Sequence, residues 1–134
     1  NNRGFTLIEL MLVVIIIGAL TAMVMPRLAG RTEQAKTSAA QADVTANIAT
    51  ALKLYELDNG RFPANEDGGL QALFQKPANA SNWNGPYLEK KPKDPWDREY
   101  VYKSPGSHRT YDYDLYSLGR DGIDSDDDIT NWDK

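Results

Sequence analysis

The chain has 134 residues, of which 25% are charged, with a formal net charge of −4 and no cysteine. This length allows one membrane segment and one small domain, and the lack of cysteine excludes disulfides and thiolate zinc sites. Nucleic acid is not an expected partner, because phosphate binding needs clustered Lys and Arg, and the nearest approach to a basic cluster, at 90–93, has acidic neighbours on both sides. No Walker loop, dinucleotide fingerprint or metalloprotease motif occurs.

An apolar run from Phe5 to Met25 contains a single charge, Glu9. A bilayer core of about 30 Å needs roughly 20 apolar residues in a helix, and only a helix satisfies its own backbone hydrogen bonds in lipid. A secretory signal peptide with Arg3 as its basic region is the alternative, but its apolar core should be about 7 to 15 residues long and end at small residues. The run is longer, so it predicts a membrane helix.

Glu9 is the residue in this segment that needs an explanation. A carboxylate costs about 2.5–3.5 kcal/mol at the centre of a bilayer and less near its surface. Two interpretations follow from the residues alone. Glu9 either lies at the level of the headgroups and has no special role, or it has a partner that compensates its charge.

The helical pattern continues beyond Pro26, where a proline would kink the helix. Apolar side chains recur at helical spacing until Asn59-Gly60, a usual helix stop. The sequence therefore predicts a helix from Phe5 to Asp58. Small side chains in its middle face either solvent or neighbouring helices (Ser38, Ala39, Ala40, Ala42, Ala46 and Ala49).

The remainder of the chain predicts a small α+β domain, with a sheet packed on the lower part of the long helix. A short helix is expected at Gly69–Gln75, followed by a loop from Pro77 to Asp97 that is rich in Pro, Asn and Gly. Glu99–Lys103 and Thr110–Ser117 are expected to be antiparallel strands joined by a turn at Pro105-Gly106. In the second strand, alternation predicts that one face is apolar (Tyr111, Tyr113 and Leu115) and the other more polar (Asp112, Asp114 and Tyr116).

Aspartates are concentrated near the C-terminus, where they occupy five of the eight positions from 121 to 128. Packed carboxylates repel one another, so either water and salt screen them or a cation gathers them. Calcium takes six to eight oxygen ligands, including backbone carbonyls, from flexible loops. The loop is not an EF-hand, because no register combines Gly at the sixth position with Glu at the twelfth. Composition alone leaves both interpretations open.

The N-terminal residues carry a family resemblance. Gly4 followed by Phe5-Thr-Leu-Ile-Glu9, directly opening the apolar helix, resembles the processing site of type IV pilins and pseudopilins. The resemblance implies that a prepilin peptidase cuts between Gly4 and Phe5 and methylates the new Phe5 amine. Residues 1–4 would then be the remnant of a leader.

Later motifs extend the resemblance over nearly the whole chain and narrow it to the major pseudopilins of the type II secretion system. One departure is Asp97, where the family often has glycine. The motifs are Asp58-Asn-Gly-Arg-Phe-Pro63, Gly69-Leu-Gln-Ala-Leu73, Gly85-Pro-Tyr-Leu88, Asp94-Pro-Trp96, Ser104-Pro-Gly106, Tyr113-Asp-Leu-Tyr-Ser-Leu-Gly119 and Asp127-Asp-Ile-Thr-Asn-Trp132.

This resemblance implies a pilin-like fold with a transmembrane or filament-core helix at 5–29 and a periplasmic globular domain at 30–134. It also implies a calcium ion bound in the C-terminal loop. The matching positions would supply two backbone carbonyls and three carboxylates, with Asp126 as a possible substitute for Ser125 (Leu118 carbonyl, Asp121, Ser125 carbonyl, Asp127 and Asp128).

By the same resemblance the chain is not an enzyme but the repeating subunit of a filament that drives export of folded proteins across the outer membrane. It would sit in the inner membrane, with its C-terminal domain in the periplasm, before assembling with itself, minor pseudopilins and the inner-membrane secretion platform. Glu9 would neutralise the Phe5 amine of a neighbouring subunit. The alternatives are a type IV pilus pilin, which commonly has a disulfide, and a membrane-anchored calcium-binding enzyme that uses His108 or paired aspartates.

Overall fold

The computed structural model describes residues 3–134, so the part of the predicted leader formed by Asn1 and Asn2 lies outside the described residues. The chain forms two compact units, Asn1–Ala35 and Lys36–Lys134. Each unit is described by itself below.

The first unit consists mainly of helix α1, which begins at Leu7 and ends at Ala42 within the second unit. Pro26 lies inside this helix and does not end it. An 18-residue window of the helix has a mean hydropathy of 2.7, and none of that window is buried inside the chain. Within residues 3–134 the structure thus contains one helix that is long and apolar enough to cross a membrane, as the sequence predicted.

Helix α1 is followed by a π-helical turn, Asp43–Asn47, and by helix α2, Ile48–Asn59. The predicted single long helix is therefore confirmed between Leu7 and Asn59, and the π-helical turn inside it is a local change that the sequence did not reveal. Asp43 accepts hydrogen bonds there from the Tyr100 hydroxyl (2.7 Å) and from the Asn47 amide (2.8 Å). Because the Tyr100 contact spans 57 positions, local periodicity could not reveal it. The predicted stop is confirmed: Gly60 has φ 80° and its N–H donates to the Glu56 carbonyl at 2.7 Å.

One face of the helical segment forms the core of the second unit. Val44, Ile48, Leu52 and Tyr55 are all at most 2% exposed, which confirms the predicted apolar spacing. Full burial of such side chains contributes about 1.5–3 kcal/mol each. Ala40 is also buried in this core, so this small residue does not face a neighbouring helix.

Two 3₁₀ turns, Asn65–Asp67 and Gly69–Leu73, follow helix α2. The second lies where a short helix was predicted, at Gly69–Gln75, and its Leu70 and Leu73 side chains join the core. The following stretch from 77 to 97 has no helix or regular strand, as its composition predicted.

The sheet has three antiparallel strands in the order β1-β2-β3: Val101–Lys103, Asp114–Ser117 and Ile129–Thr130. Tyr102 pairs with Leu115, and Ser117 pairs with Ile129. The predicted α+β class is confirmed, and the paired β1 and β2 were expected, whereas β3 was not predicted.

The second predicted strand begins four residues later than expected, and its alternation was partly wrong. Tyr111 is 79% exposed, whereas Asp114 is buried. The reason is that the Asp114 carboxylate accepts hydrogen bonds from the backbone N–H groups of Ser107, His108 and Arg109 at 2.8–3.0 Å. These contacts fold the predicted tight turn into a wider connection around a buried carboxylate.

Candidate functional site

The start of helix α1 is stabilised by a reciprocal pair of hydrogen bonds between Thr6 and Glu9. The Thr6 N–H donates to Glu9 Oε2 at 3.0 Å, and the Glu9 N–H donates to Thr6 Oγ1 at 3.2 Å. This arrangement is a capping box, which satisfies two backbone donors that a helix N-terminus leaves unpaired. Glu9 therefore has a local structural role that the sequence analysis missed, although Thr-x-x-Glu before an apolar run is its usual signature.

The residues on either side of the predicted cleavage point are accessible. Phe5 is 82% exposed, and a Cβ added at Gly4 would meet nothing within 4 Å. A glycine is therefore not required here by packing within the chain. The predicted processing role of both residues stays a prediction.

The acidic loop, residues 118–128, connects strands β2 and β3. Gly119 and Gly122 both have φ 71°, a left-handed conformation that favours glycine. At Gly119 a Cβ would lie 3.0 Å from the Asp127 carbonyl oxygen and 3.2 Å from its carboxylate. The loop thus folds back on itself and brings its two ends close together.

Three of the predicted ligands converge within this loop. Carboxylate oxygens of Asp121, Asp127 and Asp128 lie within 4.8 Å of one another. The hydroxyl of Ser125 lies between the first two, at 2.9 Å from Asp121 Oδ2 and in close contact with Asp127 Oδ1. A hydroxyl has a single proton to donate, so it cannot satisfy both carboxylates at once, and the cluster has more acceptors than donors.

Asp128 is the buried member of the cluster. It is 7% exposed, and its Oδ1 atom has no hydrogen-bond partner among the described residues. Burial raises the pKa of Asp128, and the nearby carboxylates of Asp124 and Asp127 raise it further, although the Ser125 backbone opposes the shift. In contrast, the pKa of the exposed Asp121 is lowered by hydrogen bonds from the Ile123 N–H and the Ser125 hydroxyl.

These features fit a cation. A buried carboxylate oxygen without a partner is costly, and a bound cation would satisfy it while offsetting the repulsion among the three carboxylates. The ligands are all oxygens, which suits calcium or magnesium rather than zinc or copper. The chain therefore has an acidic cluster that could bind a metal.

The structure gives less direct support for the two predicted carbonyl ligands than for the three carboxylates. Leu118 directly follows strand β2 at the start of the loop. The Ser125 carbonyl accepts a hydrogen bond from the Asp128 N–H at 3.3 Å, which leaves one lone pair for a further contact. The Asp126 carbonyl already accepts from the Lys134 ammonium group at 2.6 Å, so this oxygen is a poorer candidate for a second cation.

A buried polar pair at the base of the loop was missed by the sequence analysis. The Ser117 hydroxyl donates to Asp94 Oδ2 at 2.7 Å and accepts from the Gly119 N–H at 3.1 Å. Asp94 belongs to one of the motifs that carry the family resemblance, but its distance of 23 positions from Ser117 gave no local signal. The pair fixes the point at which the acidic loop leaves the sheet.

His108, the residue considered for an enzymatic role, has structural contacts. Its ring stacks on Trp132 with centroids 4.0 Å apart, and its Nδ1 lies 3.2 Å from the buried Asp114 carboxylate. These contacts hold the connection between β1 and β2 against the C-terminal segment. The pKa of Asp114 is lowered, because backbone N–H groups and His108 outweigh the opposing effect of burial.

Comparison with known proteins places this chain among bacterial secretion components. Residues 27–132 match the family described as type II secretion system (T2SS), protein G, and residues 1–25 match the prokaryotic N-terminal methylation motif. The chain is 48% identical to type II secretion system core protein G of Pseudomonas aeruginosa, with 99% of this chain and 96% of that protein covered. It is 43% identical to the protein of the same name from Escherichia coli K12, with 98% and 92% covered.

A solved structure agrees with these relatives. The crystal structure of the major pseudopilin from the type 2 secretion system of enterohaemorrhagic Escherichia coli superimposes with a TM-score of 0.67 at 34% identity, covering 80% of this chain and 95% of that one. These findings favour a structural pseudopilin over a type IV pilus pilin or an enzyme. The chain belongs to the type II secretion system protein G family, whose members are structural pseudopilin subunits.

Proposed function

We propose that the chain polymerises through its N-terminal helix into a periplasmic pseudopilus that drives export of folded proteins across the outer membrane. The observation that carries the proposal is the exposed apolar surface of α1, which has a mean hydropathy of 2.7 over 18 residues with no burial inside the chain. Such a surface needs lipid or other apolar helices around it. We assign 5–29 to the bilayer before assembly and to the filament core afterwards, and 30–134 to the periplasm.

Processing comes first in this scheme. A prepilin peptidase cuts between Gly4 and Phe5, removes residues 1–4 and methylates the Phe5 amine. The match of residues 1–25 to the N-terminal methylation motif supports this step, as does the exposure of Phe5. The subunit then assembles with copies of itself, minor pseudopilins and the inner-membrane platform.

Glu9 compensates the Phe5 amine of a neighbouring subunit in the filament. A charge buried among apolar helices is tolerated only when it is paired, so a wrong register leaves two unpaired charges and is disfavoured. The capping box uses Oε2 of Glu9, and Oε1 has no hydrogen bond in the part of the chain that the structure describes. One carboxylate can therefore cap its own helix and also accept a hydrogen bond from the Phe5 amine of a neighbour.

Filament formation by Glu9→Val tests this proposal. Membrane insertion and cleavage should be retained, because the segment becomes more apolar, while assembly is lost or slowed. Thr6→Val is the matched control, since it breaks the capping box but keeps the carboxylate. Wild-type assembly by Glu9→Val would contradict the proposal, and equal loss in both variants would show that helix capping alone explains the effect.

We also propose that the cation of the acidic loop is calcium, held by the carboxylates of Asp121, Asp127 and Asp128 and by the carbonyls of Leu118 and Ser125. The convergence of the three carboxylates and the unpartnered Asp128 oxygen support the assignment. Calcium would neutralise the repulsion in the loop and order it, as a disulfide orders a small domain in other proteins.

A further inference from the structure

Arg98 reaches the acidic loop from a different part of the chain. Its Nη1 atom donates to the Gly119 carbonyl at 2.9 Å and to the Arg120 carbonyl at 3.3 Å. The two carbonyls are adjacent in sequence and 21 and 22 positions away from Arg98. One guanidinium therefore holds two successive peptide groups at the start of the loop through charge-assisted hydrogen bonds.

The loop also closes over the guanidinium sterically. A Cβ added at Gly122 would lie 2.6 Å from Arg98 Cζ and 2.7 Å from its Nε, so the guanidinium would have to move away from its place over the loop. The backbone of Gly122 thus packs directly on the guanidinium. In the sequence, Asp121, one of the three clustered carboxylates, follows the two residues whose carbonyls Arg98 binds and precedes the glycine that packs on Arg98.

Arg98 is itself held in place by the buried Asp94. Asp94 Oδ1 accepts from the Arg98 N–H at 2.8 Å, and the Asp94 N–H donates to the Arg98 carbonyl at 2.8 Å. The other carboxylate oxygen of Asp94 accepts from Ser117, which in turn accepts from the Gly119 N–H. Gly119 is therefore fixed at its N–H through Ser117 and at its carbonyl through Arg98.

We propose that Arg98 is a positioning residue that holds residues 119–122 in the conformation in which Asp121 faces Asp127 and Asp128, and that it thereby strengthens cation binding. This inference rests on the proposed metal site. Charge and geometry predict opposite effects of removing Arg98 on cation binding. Coulomb repulsion alone predicts that removing a positive group near the cluster strengthens cation binding. Loss of the preorganised loop has the opposite effect, because the entropy cost of ordering the loop is then subtracted from the binding free energy.

The experiment measures Ca²⁺ affinity by titration calorimetry on the full chain in detergent micelles. Arg98→Ala is expected to weaken binding about tenfold, the effect of losing charge-assisted hydrogen bonds. Arg98→Lys should also weaken it, because an ammonium group lacks the planar guanidinium against which Gly122 packs. The matched control is Arg120→Ala, which removes a positive charge from the same loop but no side-chain hydrogen bond seen among the described residues. Its affinity should be unchanged or higher.

Amide hydrogen exchange in the presence of chelator supplies a second measurement, which needs no bound metal. Arg98→Ala should exchange faster at Gly119 and Gly122, while exchange in helix α2 stays unchanged and shows that the unit is folded. Gly122→Ala should also weaken Ca²⁺ binding by expelling the guanidinium. In an Arg98→Ala background the same glycine substitution should cost less, because the steric conflict is gone.

The outcomes separate the two proposals. If the wild-type chain shows no Ca²⁺ binding, the metal site is wrong, and the exchange rates alone decide whether Arg98 orders the loop. If the wild-type chain binds Ca²⁺ and Arg98→Ala binds it equally or more tightly, the positioning role of Arg98 is overturned while the metal site stands.

Discussion

The two compact units of this chain differ in how far their apolar side chains are buried. In the first unit the leucines, isoleucines and valines of α1 are exposed, as Leu12 shows with 53% of its surface accessible. In the second unit a group of such side chains forms a closed core, in which Leu52 is fully buried. The second unit therefore buries a core of its own, whereas the first has an exposed apolar surface that needs an apolar environment.

The largest expected effect tests this contrast directly with two matched leucines. Leu52→Ala should lower the free energy of unfolding of the second unit by about 2–5 kcal/mol, because it leaves a cavity in a closed core. Leu12→Ala should leave that free energy unchanged. Urea unfolding followed by tryptophan fluorescence measures both, since all three tryptophans lie in the second unit. Equal destabilisation by the two variants would show that the contrast is wrong.

The second prediction concerns the one part of the second unit that is not self-sufficient, the acidic loop. A ligand that binds only the folded state stabilises it by about 2.7 kcal/mol at a hundredfold excess over Kd. Chelator should therefore lower the melting temperature of a shortened chain that begins at Arg31 by several degrees. Asp121→Ala or Asp127→Ala should abolish this shift, and Asp133→Ala, an exposed carboxylate outside the cluster, should keep it.

Two further comparisons sharpen the calcium assignment. Magnesium should replace calcium poorly, because it demands a tighter octahedral shell. The calcium-dependent shift should shrink in acid, since the raised pKa of Asp128 lets protons compete with the metal. A melting curve unaffected by chelator, together with no heat of calcium binding, would identify the loop as a solvated surface.

A third prediction uses the buried carboxylate that needs no metal. The pKa of Asp114 lies below its ordinary value of 3.8, so its ionised form is favoured by folding. Its contribution is fully present above about pH 4 and is lost as the pH falls through the lower pKa of the folded state. Asp114→Asn should cost about 1–3 kcal/mol at neutral pH and should flatten the acid limb of the stability profile. An unchanged acid limb would show that other carboxylates cause it.

The smallest expected effect is at Asp97, where the family resemblance described above led us to expect glycine. Its φ is 64°, so the turn keeps a left-handed residue at this position even without glycine. A non-glycine residue is less favourable there by roughly 1 kcal/mol. Asp97→Gly should raise the free energy of unfolding by about that amount or less, as measured in urea. A loss of stability would mean that the ion pair from Asp97 to Lys93, at 3.6 Å, matters more than backbone strain.

Much of the first unit and the helical face of the second were predictable, because their signals are local. An apolar run of membrane length, the spacing of Val44, Ile48 and Leu52, and the stop at Gly60 depend only on neighbours within a few residues. The acidic cluster could be predicted as a group for the same reason, since its aspartates are close together in sequence. The boundaries of the strands could not be predicted in this way. Strand β2 begins at Asp114, whose carboxylate is buried by hydrogen bonds to residues 107–109, and local propensity gives no sign of these contacts.

The sequence by itself thus determined that this protein has an exposed apolar helix, an α+β domain and an acidic loop without disulfides. Only the tertiary structure decided which oxygens of that loop converge, that Asp128 carries a buried oxygen without a partner, and that Asp94 and Arg98 hold the loop from outside. The physical reason for the last point is that Arg98 contacts Gly119 and Asp94 contacts Ser117 across 21 and 23 positions of the chain. Periodicity and motif spacing describe neighbours along the chain, whereas the geometry of the loop depends on groups that only folding brings together.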